Sequence, residues 1–417
     1  MQNVMDLKRE VVDCELCMKC GTCMGVCPTG AIRFTDSEMT IDNQKCIQCG
    51  KCCNACPGKE FPLDRWSQKL FGEHYDIHKK LGYYQSVWLA RAESEEIYQK
   101  SASGGVVTQI CLDLLEGKRV DGVVATRAKR DVPYEFEPFI ATNAEEIMRA
   151  ARSKYVIIPA NGIIREIKKE NKKVAFVGLP CQVQGMRKAM ENDMQLKKQV
   201  VVLLSLFCGF NMEKAATDYL MKQSGIAKQD ICEFSYRHKQ GEQTGFYIKG
   251  KGGEEFFVDK HGYTFLNLIY SPKRCWKCFD YSGEFADLSV GDAWDCKGGG
   301  SRVIVRTDIG NEVWRHSQAL GTLRAESCEI ESIFRTQKMV MQYKKENIGI
   351  RKRLMKSFPE YGVAKFPASG WKSRIEGLLM FFAMSFFKTR VGKLVSRILP
   401  FRTMTGISAG IKGKEIN

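Results

Sequence analysis

Residues 17–28 read CMKCGTCMGVCP, and residues 46–57 repeat the pattern as CIQCGKCCNACP. Each run sets its cysteines at C-x2-C-x2-C-x3-C and closes on proline. Cys17, Cys20, Cys23 and Cys27 form the first run; Cys46, Cys49, Cys52 and Cys56 form the second. Small residues within the runs (Gly21, Gly25, Gly50, Ala55) let backbone amides approach the sulfurs, which tunes the potential of a bound metal centre. Zinc knuckles explain two tandem runs with Cys-Pro endings poorly. Cys14 and Cys53 are surplus: Cys14 also makes C-x2-C with Cys17, but only the register beginning at Cys17 reaches the x3-Cys-Pro ending.

Of the eighteen cysteines in the 417 residues, ten lie before residue 57 and eight are scattered from Cys111 to Cys328. The opening MQNVMDLKREVVDCELC has no apolar core of the kind an export signal needs. A cytoplasmic setting is expected, where cysteines stay reduced and metal ligation is favoured over disulfides. The tandem runs are the bacterial two-cluster ferredoxin pattern, in which the fourth cysteine of each run crosses to the other cluster. Cys17, Cys20, Cys23 and Cys56 are therefore expected on one [4Fe–4S] cluster, and Cys46, Cys49, Cys52 and Cys27 on a second. This α+β ferredoxin domain is expected over residues 1–61. Its clusters carry single electrons, so another part of the chain must supply or consume them.

A linker is expected over residues 62–85. Beyond it, strand-like runs such as SVWLARA (86–92), VAFVGL (174–179) and VVVLLSLFCGF (200–210) alternate with helical patterns such as GGVVTQICLDLLEGK (104–118). KYVIIP (154–159) also reads as extended. This alternation predicts an α/β domain with a partly parallel sheet, over residues 86–330. A helical, basic extension follows over 331–417. From Lys365 onward ten Lys/Arg stand against two Glu, half of the chain's net charge of +16. No zinc-finger or helix-turn-helix signature supports a nucleic-acid partner. The apolar run IEGLLMFFAMSFF (375–387) is shorter than the roughly 20 residues a spanning helix needs. With basic residues after it, it suits an in-plane helix on anionic lipid at the inner face of the membrane, or a helix packed on the domain or a partner.

Four features of the middle region carry chemistry. Ser103, Gly104 and Gly105 precede a helix, whose N-terminal amides can hold a phosphate. CWKC supplies Cys275 and Cys278. Cys181 and Cys208 each follow an apolar strand-like run, at the edge where α/β sheets bind ligands; each alone reads more readily as a small buried hydrophobe. The histidines (His74, His78, His238, His261, His316) sit in polar contexts without catalytic pairing.

Taken in order, SGGVVT (103–108), SKYV (153–156), VGLPCQVQGMRK (177–188), LFCGF (206–210) and CWKCFDYSGEFADLSVGDAW (275–294) resemble the family of β subunits of coenzyme F420-reducing hydrogenase and F420-dependent formate dehydrogenase. The ferredoxin unit in front resembles the electron-input subunit of the dehydrogenases of reduced F420, the N-terminal half of F420-dependent sulfite reductase, and plant 7-hydroxymethyl chlorophyll a reductase. The resemblance implies an α/β flavoprotein that binds FAD and a third [4Fe–4S] cluster, the latter on Cys181, Cys208, Cys275 and Cys278. For FAD it implies Ser103, Gly104, Gly105 and Thr108, with Ser153, Lys154 and Tyr155 as secondary contacts. Asp287, Gly291 and Asp292 would line the same cleft, although turn chemistry accounts for the two acids equally well. Cys111, Cys232, Cys296 and Cys328 match no motif and read as structural.

The implied activity is a converter. Reduced F420, the substrate, gives electrons in pairs, iron–sulfur clusters accept them singly, and flavin can do both. A ferredoxin-like partner or a larger dehydrogenase complex would take them onward. A basic surface suits F420, with its phosphate and glutamate tail. Two other readings fit the same residues: a ferredoxin-driven flavin reductase of a different organic substrate, and a non-catalytic electron-transfer adaptor.

Overall fold

The computed structural model describes residues 3–35, 38–241, 243–296, 299–363, 365–367, 370–398 and 403. Thirteen strands occur among them. β1 (Ile32–Thr35) and β2 (Glu38–Ile41) make a hairpin in the N-terminal unit. A large mixed sheet takes β3 (Ser86–Ala92), β4 (Gly122–Ala128), β5 (Phe136–Ala141), β6 (Val174–Gly178) and β7 (Val200–Leu206). A separate antiparallel sheet holds β8 (Ile231–Gln240), β9 (Gln243–Gly250) and β10 (Glu255–Asp259). β11 (Leu288–Asp292), β12 (Ser301–Val305) and β13 (Leu323–Ser327) then return to the large sheet.

That sheet runs β13-β3-β12-β11-β7-β6-β4-β5. Its middle is parallel: β11 with β7, β7 with β6, and β6 with β4. The flanks are antiparallel. Parallel strands need both faces covered, hence the unbroken apolar runs of β6 and β7. One face packs Ile110 and Leu114 of the helix Val106–Glu116 with Trp314. The other packs Ile167, Val183 and Met186 against Val124, Phe176 and Leu203.

Two local readings are corrected. KYVIIP forms no strand; it crosses the end of the sheet irregularly, with Ile157 N–H donating to Met212 O at 3.0 Å. The extended segment is β5, where Pro138 is tolerated because β5 is the sheet's edge. Residues 62–85 include the helix Leu63–Phe71, whose Trp66 is 2% exposed and stacks on Phe61 beside Phe285. Most of 331–417 is helical, and its helices Glu331–Met341 and Ile348–Leu354 reach into the protein, burying Ile333 and Ile348.

The N-terminal unit is seated on the α/β body through a seam without spare room. A Cβ on Gly25 would stand 2.1 Å from Asn161 O, and one on Gly185 would stand 2.2 Å from Thr22 Oγ1. Asn161, fully buried, donates its backbone N–H to Cys20 O at 2.9 Å and its Nδ2 to Thr22 Oγ1 at 2.8 Å. Cations complete the seam: Lys188 donates to Cys56 O at 2.8 Å, Arg274 to Leu16 O at 3.0 Å, and Lys277 to Cys14 O at 3.2 Å.

Candidate functional site: three thiol sets and an adjoining cavity

The first two thiol sets are built by local chain geometry. Gly21 and Gly50 take left-handed backbone ahead of two short helices, Thr22–Val26 and Lys51–Asn54, which carry Cys23 and Cys52. Cys23 lies within electrostatic reach of Cys17, Cys20 and Cys56. Cys27 shares a small cavity with Cys46, Cys49 and Cys52. The last cysteine of each run thus stands with the opposite run. Cys52 also lies within reach of Cys23, so the two sets adjoin.

The third set comes from distant chain. Cys181 opens the helix Pro180–Glu191 after β6, Cys208 follows β7, and Cys275 and Cys278 lie on one turn. Cys181 is within reach of Cys208, Cys275 and Cys278, and also of Cys20 in the first set. Burial raises the thiols of Cys181 and Cys275 and pushes that of Cys208 up to about 12. It pushes Cys17 up to about 11 and Cys56 up to about 12 in the first set. Such thiols ionise only when a cation or metal compensates, and metal binding supplies that compensation. No disulfide is recorded among the described cysteines. Among the described residues, no group of three such side chains is gathered tightly enough to close on one metal ion. The sets are spread as ligands around a larger body would be, and four sulfurs per set fit a four-iron cluster. Cys111 is buried within the main core, away from these sets, and Cys232 is exposed on β8.

Beside the third set opens a cavity of about 930 Å³, with Cys208 in its wall. Ser103, Gly105, Thr108, Ser153, Lys154, Tyr155, Gly291 and Asp292 also line it. Its volume lies in the upper range for cofactor sites. Gly105 caps the helix Val106–Glu116 at φ +80°, and Val106, Val107 and Thr108 present the first turn, whose amides have no intrahelical acceptor. At Gly291 the wall closes on itself: the Phe207 ring packs against the glycine so tightly that a Cβ there would meet it at 1.9 Å.

Two expected contacts stand elsewhere. Gly104 is not among the lining residues; its N–H donates to Ser301 Oγ at 3.0 Å, so it joins loop to sheet. Asp287 is absent from the lining too. Its carboxylate accepts from Arg187 Nη2 at 2.9 Å, Thr307 Oγ1 at 2.7 Å and Leu203 N–H at 2.8 Å, which makes it a strut. Asp287 and Asp292 sit at opposite ends of β11, and only the end toward Asp292 meets the cavity.

Asp292 pairs with Arg237 at 3.0 Å. Burial alone would raise its carboxyl, but Arg237 and Lys260 hold it below the ordinary value. Arg237, itself buried, also donates to Tyr155 Oη at 2.9 Å and to Ala102 O at 2.6 Å, bracing two cavity walls at once. Lys154 turns its ammonium onto backbone, with Ala151 O and Arg152 O each at 3.0 Å. Sequence reasoning missed Arg237 because it lies mid-strand in β8 with no motif around it.

Further residues missed in the sequence surround the third set. Arg274 is buried near Cys17 and Cys20 on one side and Cys181 and Cys278 on the other. Lys344 reaches the same set from the C-terminal region. Arg274 had no signal beyond its place beside CWKC, and Lys344 had none within the charged run QYKKEN (342–347).

Comparison with known proteins places this geometry. Two family models described as "Coenzyme F420 hydrogenase/dehydrogenase, beta subunit" match the chain, the N-terminal one over residues 87–165 and the C-terminal one over residues 171–332. Residues 16–60 match a 4Fe-4S dicluster domain. The chain is 28% identical over 275 residues to "Coenzyme F420 hydrogenase subunit beta" of Methanococcus voltae, covering 64% of this chain and 93% of that one. It is 25% identical over 311 residues to a subunit of the F(420)H(2) dehydrogenase of Methanosarcina mazei, covering 73% and 82%. It is 27% identical over 321 residues to "Coenzyme F420-dependent sulfite reductase" of Methanocaldococcus jannaschii; the match takes in 73% of this chain but only 46% of that protein. The fold is similar to a chain of the F420-reducing [NiFe] hydrogenase complex of Methanosarcina barkeri, with TM-score 0.55 and 23% identity over 68% of this chain and 98% of that one. A 4Fe-4S dicluster unit joined to both halves of one α/β module makes this chain a member of the coenzyme F420 hydrogenase/dehydrogenase family of beta subunits.

Proposed function

We propose that the protein is an iron–sulfur flavoprotein passing electrons between reduced F420 and three [4Fe–4S] clusters through FAD. The single observation that carries this is an order in space. The cavity is walled by Cys208, Cys208 neighbours Cys181, Cys181 neighbours Cys20, and Cys23 neighbours Cys52. One-electron sites so arranged lead from the cavity through residues 86–330 into the unit at residues 1–61.

Bound FAD would supply the exchange between paired and single electrons that thiolate-held clusters lack. The chain's own contribution is position. The first turn of the helix Val106–Glu116 offers amides for a phosphate, and Gly291 lets the Phe207 ring pack into the wall. The Arg237–Asp292 pair fixes that wall without presenting an unpaired charge. Lys260, also lining the cavity, gives it a cation suited to an anionic coenzyme.

The electrons would leave to a ferredoxin-like partner or a larger dehydrogenase complex. Partner and membrane contact would fall to the C-terminal region, the extension of 331–417. The helix Trp371–Lys388 buries Ser373, Gly377, Met380, Met384 and Phe387 on one side. On the other it exposes Trp371, at 69%, with Ile375, Leu379, Phe382 and Phe386. No helix among the described residues is long and apolar enough to cross a membrane. An outward apolar stripe followed by Arg390 and Lys393 on the next helix, Arg390–Ile398, suits the surface of an anionic bilayer. The expected basic stretches at 399–402 and 404–417 lie outside the described residues.

Cofactor analysis tests the scheme. The anaerobically purified protein should hold about one FAD and about twelve irons, four for each of three thiolate sets, and reduced F420 should bleach its visible spectrum. Bleaching by reduced ferredoxin but not by reduced F420 would favour the reductase of another substrate. A protein without flavin would be an adaptor.

A further inference from the structure

The cation most closely engaged with the third thiol set comes from outside the stretch that defines the family. The matched C-terminal module ends at residue 332. Lys344 follows it on the π-helical turn Gln342–Glu346 and is 2% exposed. Its Nζ donates to Cys208 O at 2.7 Å and Asp280 O at 2.8 Å, and lies 3.5 Å from Cys278 Sγ. One ammonium therefore touches both loops that deliver Cys208 and Cys278. Arg351 grips the same turn from behind, its Nε donating to Trp276 O at 2.6 Å.

Two other charges stand near the set. Asp280 is fully buried, with one oxygen accepting from Gly283 N–H at 2.8 Å and the other from Gln184 Nε2 at 3.0 Å. Arg274 stands between Cys17 and Cys20 on one side and Cys181 and Cys278 on the other; its Nε is committed to Leu16 O and its Nη1 to Tyr361 Oη, while its Nη2 has no hydrogen-bond partner among the described residues. Lys344 is the cation that donates to a ligand sulfur.

We infer that Lys344 is a positioning residue for the cluster on Cys181, Cys208, Cys275 and Cys278, fixing two of its ligand loops and raising its reduction potential. This rests on the proposed assignment of a cluster to those cysteines. Four thiolates concentrate negative charge, and reduction adds one more. A fixed ammonium a few ångströms away, in a buried site, favours the added electron, and a hydrogen bond to a ligand sulfur acts in the same direction. The cluster beside the cavity is the first acceptor in the proposed path, and Lys344 would make it a willing one. Because this residue lies beyond the matched module, the chain carries its own adjustment of that cluster on its C-terminal extension.

A potentiometric titration followed by electron paramagnetic resonance on the full-length protein tests this. The wave of the third cluster is identified by its loss in Cys181→Ser. In Lys344→Met that wave alone should move to lower potential, its reduction constant falling about tenfold or more, at 59 mV per tenfold for one electron. Lys344→Arg, which keeps the charge, should stay near the parent value. An unmoved wave in Lys344→Met with iron content intact overturns the inference, as does an equal shift of all three waves. If Lys344→Met sheds iron, Lys344→Arg decides: retained iron at the parent potential supports the charge, and loss there too assigns the residue to packing and overturns it. A parent protein with about eight irons would instead fail the cluster assignment itself.

Discussion

The N-terminal thiol sets and the third one reach similar chemistry by opposite routes. The first two are written within forty residues of chain, as short runs whose glycines turn the backbone around each site. The third is assembled from Cys181, Cys208 and the Cys275–Cys278 turn, drawn together only when β6, β7 and the sheet around them have formed. A local site can be moved or duplicated with its peptide. An assembled one depends on a folded body and on residues such as Lys344 and Arg351 that no motif announces.

The largest test of that contrast removes a ligand. Cys181→Ser should cost about four irons, one cluster's worth, while the ferredoxin-type signals persist; Cys232→Ser should cost none. Loss of all iron in Cys181→Ser would mean that the two regions do not form independently. Next in size is Asp287→Asn, which leaves Arg187 buried without its anion and should destabilise by about 3 kcal/mol, read as a lowered Tm. Flavin content per folded molecule should be unchanged, since Asp287 does not line the cavity. Gly291→Ala reverses that pattern. Its Cβ would press on Phe207, costing about 1–3 kcal/mol and depleting FAD from protein that still folds and keeps its iron. The smallest effect on stability belongs to Phe382→Glu, within about 0.5 kcal/mol because the side chain is already exposed. Flotation with anionic vesicles should fall sharply in this variant; unchanged flotation would leave the apolar stripe to a protein partner.

Legibility follows the same division. The ferredoxin runs could be read from spacing alone, because their geometry is local. The parallel centre of the large sheet was readable from the apolar runs of β6 and β7, which only a twice-covered strand requires. The cavity was largely readable. Ser103, Gly105, Tyr155, Gly291 and Asp292 line it, but the same DLSVGD stretch puts Asp287 on a strut, and alternation along a strand cannot say which end meets a cavity. KYVIIP misled because its apolar residues fill the space between sheet and seam without pairing. Arg237, Arg274 and Lys344 could not be found at all. A buried cation is recognised by what surrounds it, and those surroundings come from remote chain.

The seam at Gly25 and Gly185 bears on how such a protein can evolve. With a backbone oxygen on one side and a hydroxyl on the other closer than any side chain tolerates, the ferredoxin unit is no exchangeable cassette. A foreign ferredoxin would need a glycine at the same place, and the body would need to offer Asn161 and Gly185 in return. Lineages that carry this fusion are therefore expected to inherit the two halves together.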